Sequence, residues 1–418
     1  MHYAWIILIA VSLIRGVAGP GINASSGIFM TPVSESLGIG VGKLSVYMSV
    51  SSIVMMIWLP AAGKIYQKLS VRIVAISGIL IQTIAFMALG FMNNVWAWYI
   101  LAIPLAMGAV LIVNLLGPLL INRWFAKNIG LVMGIMMMVT SLSGAVFQPV
   151  LTNLVEGIGW QKSYLYFGIF ALIFMLAVSL LFLRDEPKDK GLKAYGIHEV
   201  FRDEKDKEGR SGAQQKKYGV YAAVALKTPA FYSLLFFMIV ITGFAAFQQH
   251  IATFGLGIGL GMSAIGKALS ISMIGAAVGS VLIGVLSDRL GIVPVSIGVL
   301  VMGIGSVILF FVAGDAGVAV FILATFLHGL AASAIGVVAP LLTTKFFGNL
   351  DYEKLFSVVM TGSPMASVVL MPAYGFIYDI FKSYNIVLIF LFCALALAAL
   401  GLMAGYRNSK KCLKKEGL

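Results

Sequence analysis

The sequence contains twelve apolar runs long enough to cross a lipid bilayer, and this pattern limits the chain to a membrane protein. A spanning helix needs about 20 mostly apolar residues. A window of that length selects 4–28, 44–65, 72–92, 96–121, 129–151, 163–183, 229–254, 263–286, 293–313, 318–343, 355–377 and 385–406. With 60% hydrophobic and 11% charged residues, a chain of 418 residues could not hide its apolar surface from water. We therefore predict an all-α polytopic membrane protein.

A single long polar stretch divides these runs into two groups of six. Residues 184–228 are rich in mixed charge and poor in apolar side chains, which predicts a solvated cytoplasmic linker. The predicted domains are thus a six-helix bundle over 1–183 and a second over 229–418, which ends in a basic tail. The first run lacks a basic leader and a small-residue cleavage site, so we expect a retained helix rather than a signal peptide.

The net charge of +13 indicates membrane orientation rather than nucleic-acid binding, because the basic residues lie in short gaps between apolar runs. If the N-terminus is cytoplasmic, the outer gaps hold only four lysines, namely Lys43, Lys162, Lys267 and Lys382. Cytoplasmic loops normally carry the excess of Lys and Arg. We therefore expect a multi-pass protein of the cell membrane, with both termini in the cytoplasm, that acts as a monomer.

Three segments of the first half recur in the second half, and each is displaced along the sequence by almost the same number of residues. The pairs are PLLINRWF with PLLTTKFF (118–125 and 340–347), GKIYQKLSVR with GVLSDRLGIV (from 63 and from 284), and QKSYLYFGIF with FKSYNIVLIF (161–170 and 381–390). Each pair occupies the same place within its half. Internal repeats of this kind are common in secondary transporters, and they predict two pseudo-symmetric six-helix bundles.

The loop GVLSDRLG, from Gly284 to Gly291, resembles the G-x-L-x-D-R-x-G signature of the major facilitator superfamily. In the first-half copy, Gln67 stands where the aspartate belongs, while Arg72 is retained. The resemblance implies the major facilitator fold and a loop that controls the conformational change. Candidate gating residues are Gly63, Arg72, Gly284, Asp288, Arg289 and Gly291. Asp288 could cap a helix end or pair with a basic neighbour, or be only a polar loop residue.

Two further motifs resemble the monocarboxylate-transporter and oxalate:formate-antiporter branch of that superfamily. They are RWFAKNIGLVMG, from Arg123 to Gly134, and GWQKSY, from Gly159 to Tyr164. The resemblance covers most of the chain, but these motifs are scaffold elements and do not identify a substrate. It implies alternating access around a binding site near the bilayer midplane.

The strongest candidate for substrate binding is Arg15, in the middle of the first run. A charged side chain there costs about 2.5–3.5 kcal/mol on insertion scales, so it usually has a function. All 16 acidic residues lie in loops, the linker, the tail or helix ends, so no fixed carboxylate neutralises it. A bidentate pair with a substrate carboxylate would suit the guanidinium. Alternatively, Arg15 is bound to carbonyls or a tyrosine, or snorkels, and only holds helices together.

Gly19-Pro20-Gly21 should break or bend the first helix one turn beyond Arg15. Helical spacing places Arg15 and Gly19 on one stripe with Asn23 at its edge. Further polar residues within the runs complete the candidate site, namely Tyr47, Asn114, Gln148, His250, His328, Ser363, Ser367 and Tyr374. A histidine could also carry a coupling proton. Interhelical packing explains serines, amides and a hydrogen-bonded histidine about equally well.

The chain also departs from the branch. Relatives place an Asp-x-x-x-Arg pair or basic residues in helix eight and a basic residue in helix eleven. Here helix eight has Ala and Ser where those charges would align, with Lys267 only at its outer mouth, and helix eleven has no lysine. One mid-membrane cation favours one carboxylate over two. We therefore predict a secondary active transporter for a small organic anion, a monocarboxylate, working by proton symport or anion exchange.

The main alternative is an exporter of hydrophobic or drug-like compounds by proton antiport, which would need a membrane-embedded carboxylate. A receptor would need a larger soluble domain than the linker offers. The sequence shows no Ser-His-Asp set, zinc cluster or carboxylate pair with a plausible shared location. We predict no enzyme activity, no metal and no cofactor.

Overall fold

The structure is a computed structural model that describes residues 2–23, 25–39, 41–196, 219–381 and 383–415. Within these residues, twelve helical segments are long and apolar enough to cross a membrane, which confirms the number predicted. In chain order, spans 1 to 12 are Tyr3–Met30, Lys43–Lys68, Val71–Leu89, Val95–Trp124, Ile129–Ile158, Trp160–Phe182, Pro229–Gly257, Lys267–Leu290, Ile292–Ala316, Val318–Phe347, Tyr352–Tyr378 and Asn385–Lys410. The described part is helical apart from two isolated β-bridges.

The chain forms two compact units. The first contains Met1–Ile129 and Val139–Gln215, and the second contains Gly130–Met138 and Lys216–Leu418. Span 5 therefore contributes Gly130–Met138 to the second unit, whereas Ile129 and the part from Val139 onward belong to the first. Its helix is Ile129–Ile158, and the other helices before the linker are Tyr3–Gly16, Val17–Asn23, Ser26–Ser36, Val41–Lys68, Val71–Leu89, Val95–Ala109, Val110–Leu115, Leu116–Trp124, Trp160–Phe182 and Pro187–Lys190.

The second unit repeats helix pairings of the first. Its helices are Ala222–Ala225, Pro229–Ala246, Phe247–His250, Ile251–Gly257, Met262–Leu290, Ile292–Ala316, Val318–Ala332, Ala334–Phe347, Tyr352–Met360, Gly362–Phe381 and Asn385–Lys415. In the first unit span 4 packs on spans 2 and 3, and span 3 packs on span 6. The same contacts join spans 10, 8, 9 and 12 of the second unit. The packing thus follows the repeat seen in the sequence.

Several spans are not continuous α-helices. Span 1 contains the π-helical segment Val17–Asn23, and span 4 contains the π-helical segment Val110–Leu115. Their counterparts in the second half are also interrupted, span 7 by the 3₁₀ helix Phe247–His250 and span 10 by a turn at Ser333. Interruptions of this kind are tolerated within a membrane where neighbouring groups bind the freed backbone.

The two described ends of the predicted linker form backbone hydrogen bonds at the ends of the repeated segments 118–125 and 340–347. Tyr195 exchanges backbone hydrogen bonds with Trp124 and Ala126, both 2.8 Å long, where the first copy ends. The Val220 N–H donates to the Phe347 carbonyl at 2.9 Å, where the second copy ends. Because these positions are equivalent in the repeat, each linker end docks at the same place of its own unit. The middle of the linker, 197–218, and Lys382 lie outside the described residues.

An acidic residue of the linker also caps a span. The Asp185 carboxylate accepts hydrogen bonds from the backbone N–H groups of Val71 and Arg72, at 3.1 and 3.0 Å. The local N-cap, Ser70, makes no side-chain cap bond. The first N–H groups of a helix have no partner within the helix and attract negative charge. Asp185 therefore supplies the cap of span 3 from a distant part of the sequence.

Replacing Asp185 with alanine should destabilise the folded protein by about 0.5–2 kcal/mol, the usual cost of losing an N-cap acceptor. Thermal unfolding of the purified protein in detergent would show this as a lower Tm. The matched control is Asp315→Ala, which removes an exposed carboxylate at the end of span 9. Equal Tm values for the two variants would contradict the capping role.

Candidate substrate site and gating loop

Arg15 lies close to the midpoint of span 1, in the last turn of the helix Tyr3–Gly16. The residue is partly exposed, but its Nε and Nη1 atoms are buried, and neither has a hydrogen-bond partner among the described residues. The four acidic residues within the described spans, Glu156, Asp288, Asp315 and Glu353, all lie within three residues of a span end. The guanidinium therefore has unused donors and no carboxylate at its depth.

The helix changes form directly after Arg15. Instead of breaking at Gly19-Pro20-Gly21, it widens into the π-helix Val17–Asn23 with Pro20 inside. The α-helical spacing that assigned Asn23 to the stripe of Arg15 therefore ends at Gly16. Gly16 is needed for close packing, because a Cβ there would collide with the Ser143 side chain on span 5. π-Helical turns are rare and occur often at functional sites.

Asn23 ends this π-helical segment and contacts span 3. Its Oδ1 accepts a hydrogen bond from Gln82 Nε2 at 3.0 Å, and the same nitrogen donates to the Ala18 carbonyl at 3.3 Å. Gln82 was not among the site residues predicted from the sequence. The signal was present, since Gln82 is the single amide within the mostly apolar run ISGILIQTIAF.

The second π-helical segment, Val110–Leu115, contains Asn114 and packs against the first. Gly19 faces it closely, with Val113 Cγ1 3.6 Å from the position of an added Cβ. Asn114 is partly exposed. The Leu111 carbonyl of this segment accepts a hydrogen bond from the Tyr66 hydroxyl at 2.8 Å. The structure thus brings the segments of Asn23 and Asn114 together, although the sequence did not predict the second widening.

Two other predicted residues of the first unit have different surroundings. Tyr47 is buried, with its ring 5.6 Å from that of Trp98, in an aromatic cluster that also includes Tyr164. Gln148 is partly exposed on span 5, one turn beyond Gly144, which faces Pro20 of the π-helical segment. Tyr47 is therefore a packing residue in this arrangement, whereas Gln148 lies on the part of span 5 that contacts span 1.

His328 and Tyr374 both donate to carbonyls near the interruption of span 7. His328 Nε2 lies 2.9 Å from the Phe244 carbonyl oxygen, and the Tyr374 hydroxyl donates to the Gly243 carbonyl at 3.1 Å. The 3₁₀ helix begins at Phe247, whose backbone N–H donates to the Phe244 and Ala245 carbonyls. His328 is fully buried, with its ring 4.4 Å from that of Phe244. These contacts hold the interrupted helix in place.

His250, at the end of the 3₁₀ helix, is only partly buried. Its Nδ1 lies 3.0 Å from the Tyr384 hydroxyl, and its Nε2 lies 3.3 Å from the Met371 carbonyl oxygen. The imidazole thus joins span 7 to span 11 and to the start of span 12. Both ring nitrogens already have protein partners.

Ser363 and Ser367 lie one turn apart on span 11, and both are partly exposed. The Ser367 hydroxyl donates to the Ser363 carbonyl at 3.1 Å, within the same helix. Such a bond leaves the hydroxyl oxygen able to accept another hydrogen bond.

The loop Gly284–Gly291, for which the sequence predicts a gating role and which is called the gating loop below, reaches the start of span 5. Asp288 accepts hydrogen bonds from the Gly130 and Leu131 N–H groups at 2.9 and 2.8 Å. Asn128, the local N-cap, has a left-handed backbone and makes no side-chain cap bond. Asp288 therefore caps span 5 in its place. Arg289, beside it, is exposed.

Glycines allow this close approach. A Cβ on Gly284 would collide with the Gly130 carbonyl, and one on Gly134 would collide with the Ser280 carbonyl. Small residues four apart are typical of closely packed membrane helices. Gly291 has a φ of +86°, a conformation that favours glycine, and it alone separates span 8 from span 9. The loop signature and the RWFAKNIGLVMG motif thus contact each other.

The first-half loop has a different arrangement. Arg72 donates to the Leu180 carbonyl, and its backbone N–H donates to Asp185, so it joins spans 3 and 6 within the first unit. Gly63 is buried in span 2. Gln67, which replaces the aspartate of the signature, is exposed.

Comparison with solved structures shows the fold. The chain is similar to the proton:xylose symporter XylE bound to 6-bromo-6-deoxy-D-glucose, with a TM-score of 0.75 and 14% identity over 97% of this chain and 96% of the other. A bacterial homologue of the iron transporter ferroportin, in an outward-facing state, gives a TM-score of 0.68 and 14% identity over 97% and 99%. At such low identity the match shows only the fold.

Sequence comparison shows the family. The chain is 24% identical over 375 residues to the uncharacterized MFS-type transporter YhjX of Escherichia coli (strain K12), covering 88% of this chain and 81% of the relative. The family model of the Major Facilitator Superfamily matches residues 4–294 and 252–416. Together with the twelve spans found among the described residues, this match establishes that the chain belongs to the Major Facilitator Superfamily.

Proposed function

We propose that this protein is a secondary active transporter for a small organic anion with one carboxylate, working by proton symport or anion exchange. The supporting observation is the Arg15 guanidinium, with two buried nitrogens that lack partners among the described residues. An arginine in a membrane interior is costly unless its charge is balanced. A mobile carboxylate would balance it while bound and could form a bidentate pair with it.

The distribution of the other cations supports a substrate with a single carboxylate. Every other lysine and arginine within the described spans lies within five residues of a span end. A dicarboxylate would gain most from a second cation at the same depth. Asn114 belongs to the π-helical segment that faces Gly19, and Gln148 lies one turn beyond Gly144, which faces Pro20. We propose that these two amides suit neutral parts of a substrate instead.

We also propose that both termini face the cytoplasm and that the protein resides in the cell membrane. The four lysines of the predicted outer gaps are far fewer than the basic residues on the opposite side. This bias is the usual determinant of orientation. Cysteine labelling of an added Cys in the Glu186–Lys190 segment from either side of the membrane would test the orientation.

Replacing Arg15 with alanine should abolish saturable uptake of monocarboxylates, because the anion loses its ion pair. We expect the empty variant to remain folded, with a Tm at or above that of the parent, since an unpaired buried charge is removed. Arg15→Lys should recover little activity, because an ammonium cannot form the bidentate pair. Proteoliposome uptake of labelled pyruvate, lactate and acetate measures this, with oxalate as the dicarboxylate and ethidium as a cationic exporter substrate.

The matched control is Ser12→Ala, one turn earlier on the same helix, whose hydroxyl donates only to the Leu8 carbonyl. It should retain uptake. Saturable monocarboxylate uptake by a folded Arg15→Ala protein would remove Arg15 from the site. Transport of ethidium but of no carboxylate by the unchanged protein would favour the exporter alternative.

We further propose that Asp288 controls alternation between states through its cap on span 5. Asp288→Asn keeps the shape but loses the negative charge at the helix N-terminus, a change of about 1 kcal/mol. An energy of this size shifts a two-state equilibrium roughly fivefold. We expect slower turnover with nearly unchanged ligand affinity, measured as uptake rate and as ligand-induced shift of Tm.

Asp315→Asn is the control. It makes the same chemical change in an exposed carboxylate at the end of span 9, which caps no helix in the described part of the chain. It should transport at the parent rate. Loss of ligand binding in Asp288→Asn, rather than of turnover, would mean that the carboxylate has a structural role only.

A further inference from the structure

Gln82 is a fully buried amide near the middle of span 3, at the depth of Arg15 and the first π-helical segment. Span 4 leaves room for it, because a Cβ on Gly108 would lie 2.6 Å from both the Cβ and the backbone nitrogen of Gln82. A buried glutamine in this position needs an explanation, since an apolar side chain of similar length would pack there without desolvating an amide.

The hydrogen bonds of Gln82 join the two ends of one wide helical turn. Its Nε2 donates to the Ala18 carbonyl at 3.3 Å and to Asn23 Oδ1 at 3.0 Å. These partners are five residues apart, which is the hydrogen-bond spacing of a π-helix. One side-chain nitrogen therefore bridges the π-helical turn that directly follows Arg15 in the chain.

The hydrogen-bond partners of Gln82 determine which way its side-chain amide is oriented. The Ala18 carbonyl can only accept, so the nitrogen of Gln82 must face it, and Asn23 must then turn its oxygen toward Gln82. Gln82 Oε1 is left buried without a partner among the described residues. An amide whose oxygen is unsatisfied is costly. The donors, rather than packing alone, thus account for a glutamine at this position.

We propose that Gln82 is a positioning residue that holds Val17–Asn23 in its π-helical form and so sets the direction in which Arg15 points. If the wide turn closed to an α-helix, the register would change by one residue, which rotates the preceding helix by about 100° relative to the following one. Arg15 would then face a different neighbour. The link to substrate binding rests on the proposed function, whereas the link to helix form does not.

Gln82→Met tests the proposal, because methionine is similar in volume but has no donor. Hydrogen–deuterium exchange of the full-length protein in detergent would report on Val17–Asn23 directly. We expect amide exchange in this segment to accelerate at least tenfold in Gln82→Met, with Val110–Leu115 less affected. If that variant does not fold, Gln82→Glu serves the same purpose, since a protonated carboxyl offers one donor at most and should accelerate exchange in the same direction.

The control is Thr83→Val, which removes a neighbouring buried polar group whose hydroxyl donates to the Ile79 carbonyl of its own helix at 2.6 Å. It should leave exchange in Val17–Asn23 unchanged. Unchanged exchange in a folded Gln82 variant, or equal acceleration in Thr83→Val, would overturn the proposal.

Binding of lactate and pyruvate, followed by their effect on Tm, separates the two hypotheses. Weaker binding in Gln82→Met together with faster exchange supports the positioning role. Faster exchange with unchanged affinity overturns it. If the unchanged protein binds neither carboxylate, the proposed function fails, and the exchange result alone decides whether Gln82 holds the π-helical turn.

Discussion

The need to satisfy backbone polar groups inside the bilayer explains several of the buried polar side chains in the spans. Lipid offers no hydrogen bonds, so every interrupted helix needs donors from its neighbours. The described residues make four such bonds, from Gln82 to the Ala18 carbonyl, Tyr66 to Leu111, Tyr374 to Gly243 and His328 to Phe244. Each one is made next to or within an interruption of span 1, 4 or 7. The interruptions persist because buried side chains bind them.

Arg15 differs from these four side chains. Its Nε and Nη1 have no such partner, although they lie directly before a widened helix whose other polar groups are bound. Neutral polar atoms such as Gln82 Oε1 and His328 Nδ1 are also buried without a partner among the described residues. Arg15, in contrast, carries a full positive charge, which is far more costly to leave unpaired inside a membrane. That contrast is the physical reason for assigning Arg15 to a mobile anion rather than to packing.

The gating loop shows how sequence and tertiary structure contribute differently. The motifs around Asp288 and around Gly130 were recognised separately, each from its own residues. Their contact could not be predicted, because they are 158 residues apart and neither motif contains a signal for the other. The left-handed backbone at Asn128 leaves span 5 without a local cap, and only the fold brings Asp288 to that position.

Whether a candidate site residue is free to bind a ligand or is engaged in holding the fold depends on what its side chain faces. The sequence identified Arg15 because a charge within a long apolar run is conspicuous, and it placed a helix distortion near Pro20 because proline lacks an N–H. It could not separate His328 and Tyr374, which donate to backbone carbonyls, from Asn114, which remains partly exposed. Sequence gives only the residue type and its position along the span, and a structural hydrogen-bond donor can share both with a ligand-binding residue.

The sequence by itself determined the number of spans, the repeat, the position of Arg15 in the middle of span 1, and most span limits to within a few residues, although span 5 ends at Ile158 rather than at the predicted 151. These follow from hydrophobicity over about 20 residues, which is a local property of the chain. Only the tertiary structure decided that span 1 widens rather than breaks, that span 4 widens beside it, and that Gln82 bridges the first of these turns. A π-helical turn is stable only when neighbouring helices supply donors at the right distance, and that distance is set by packing between residues far apart in the sequence.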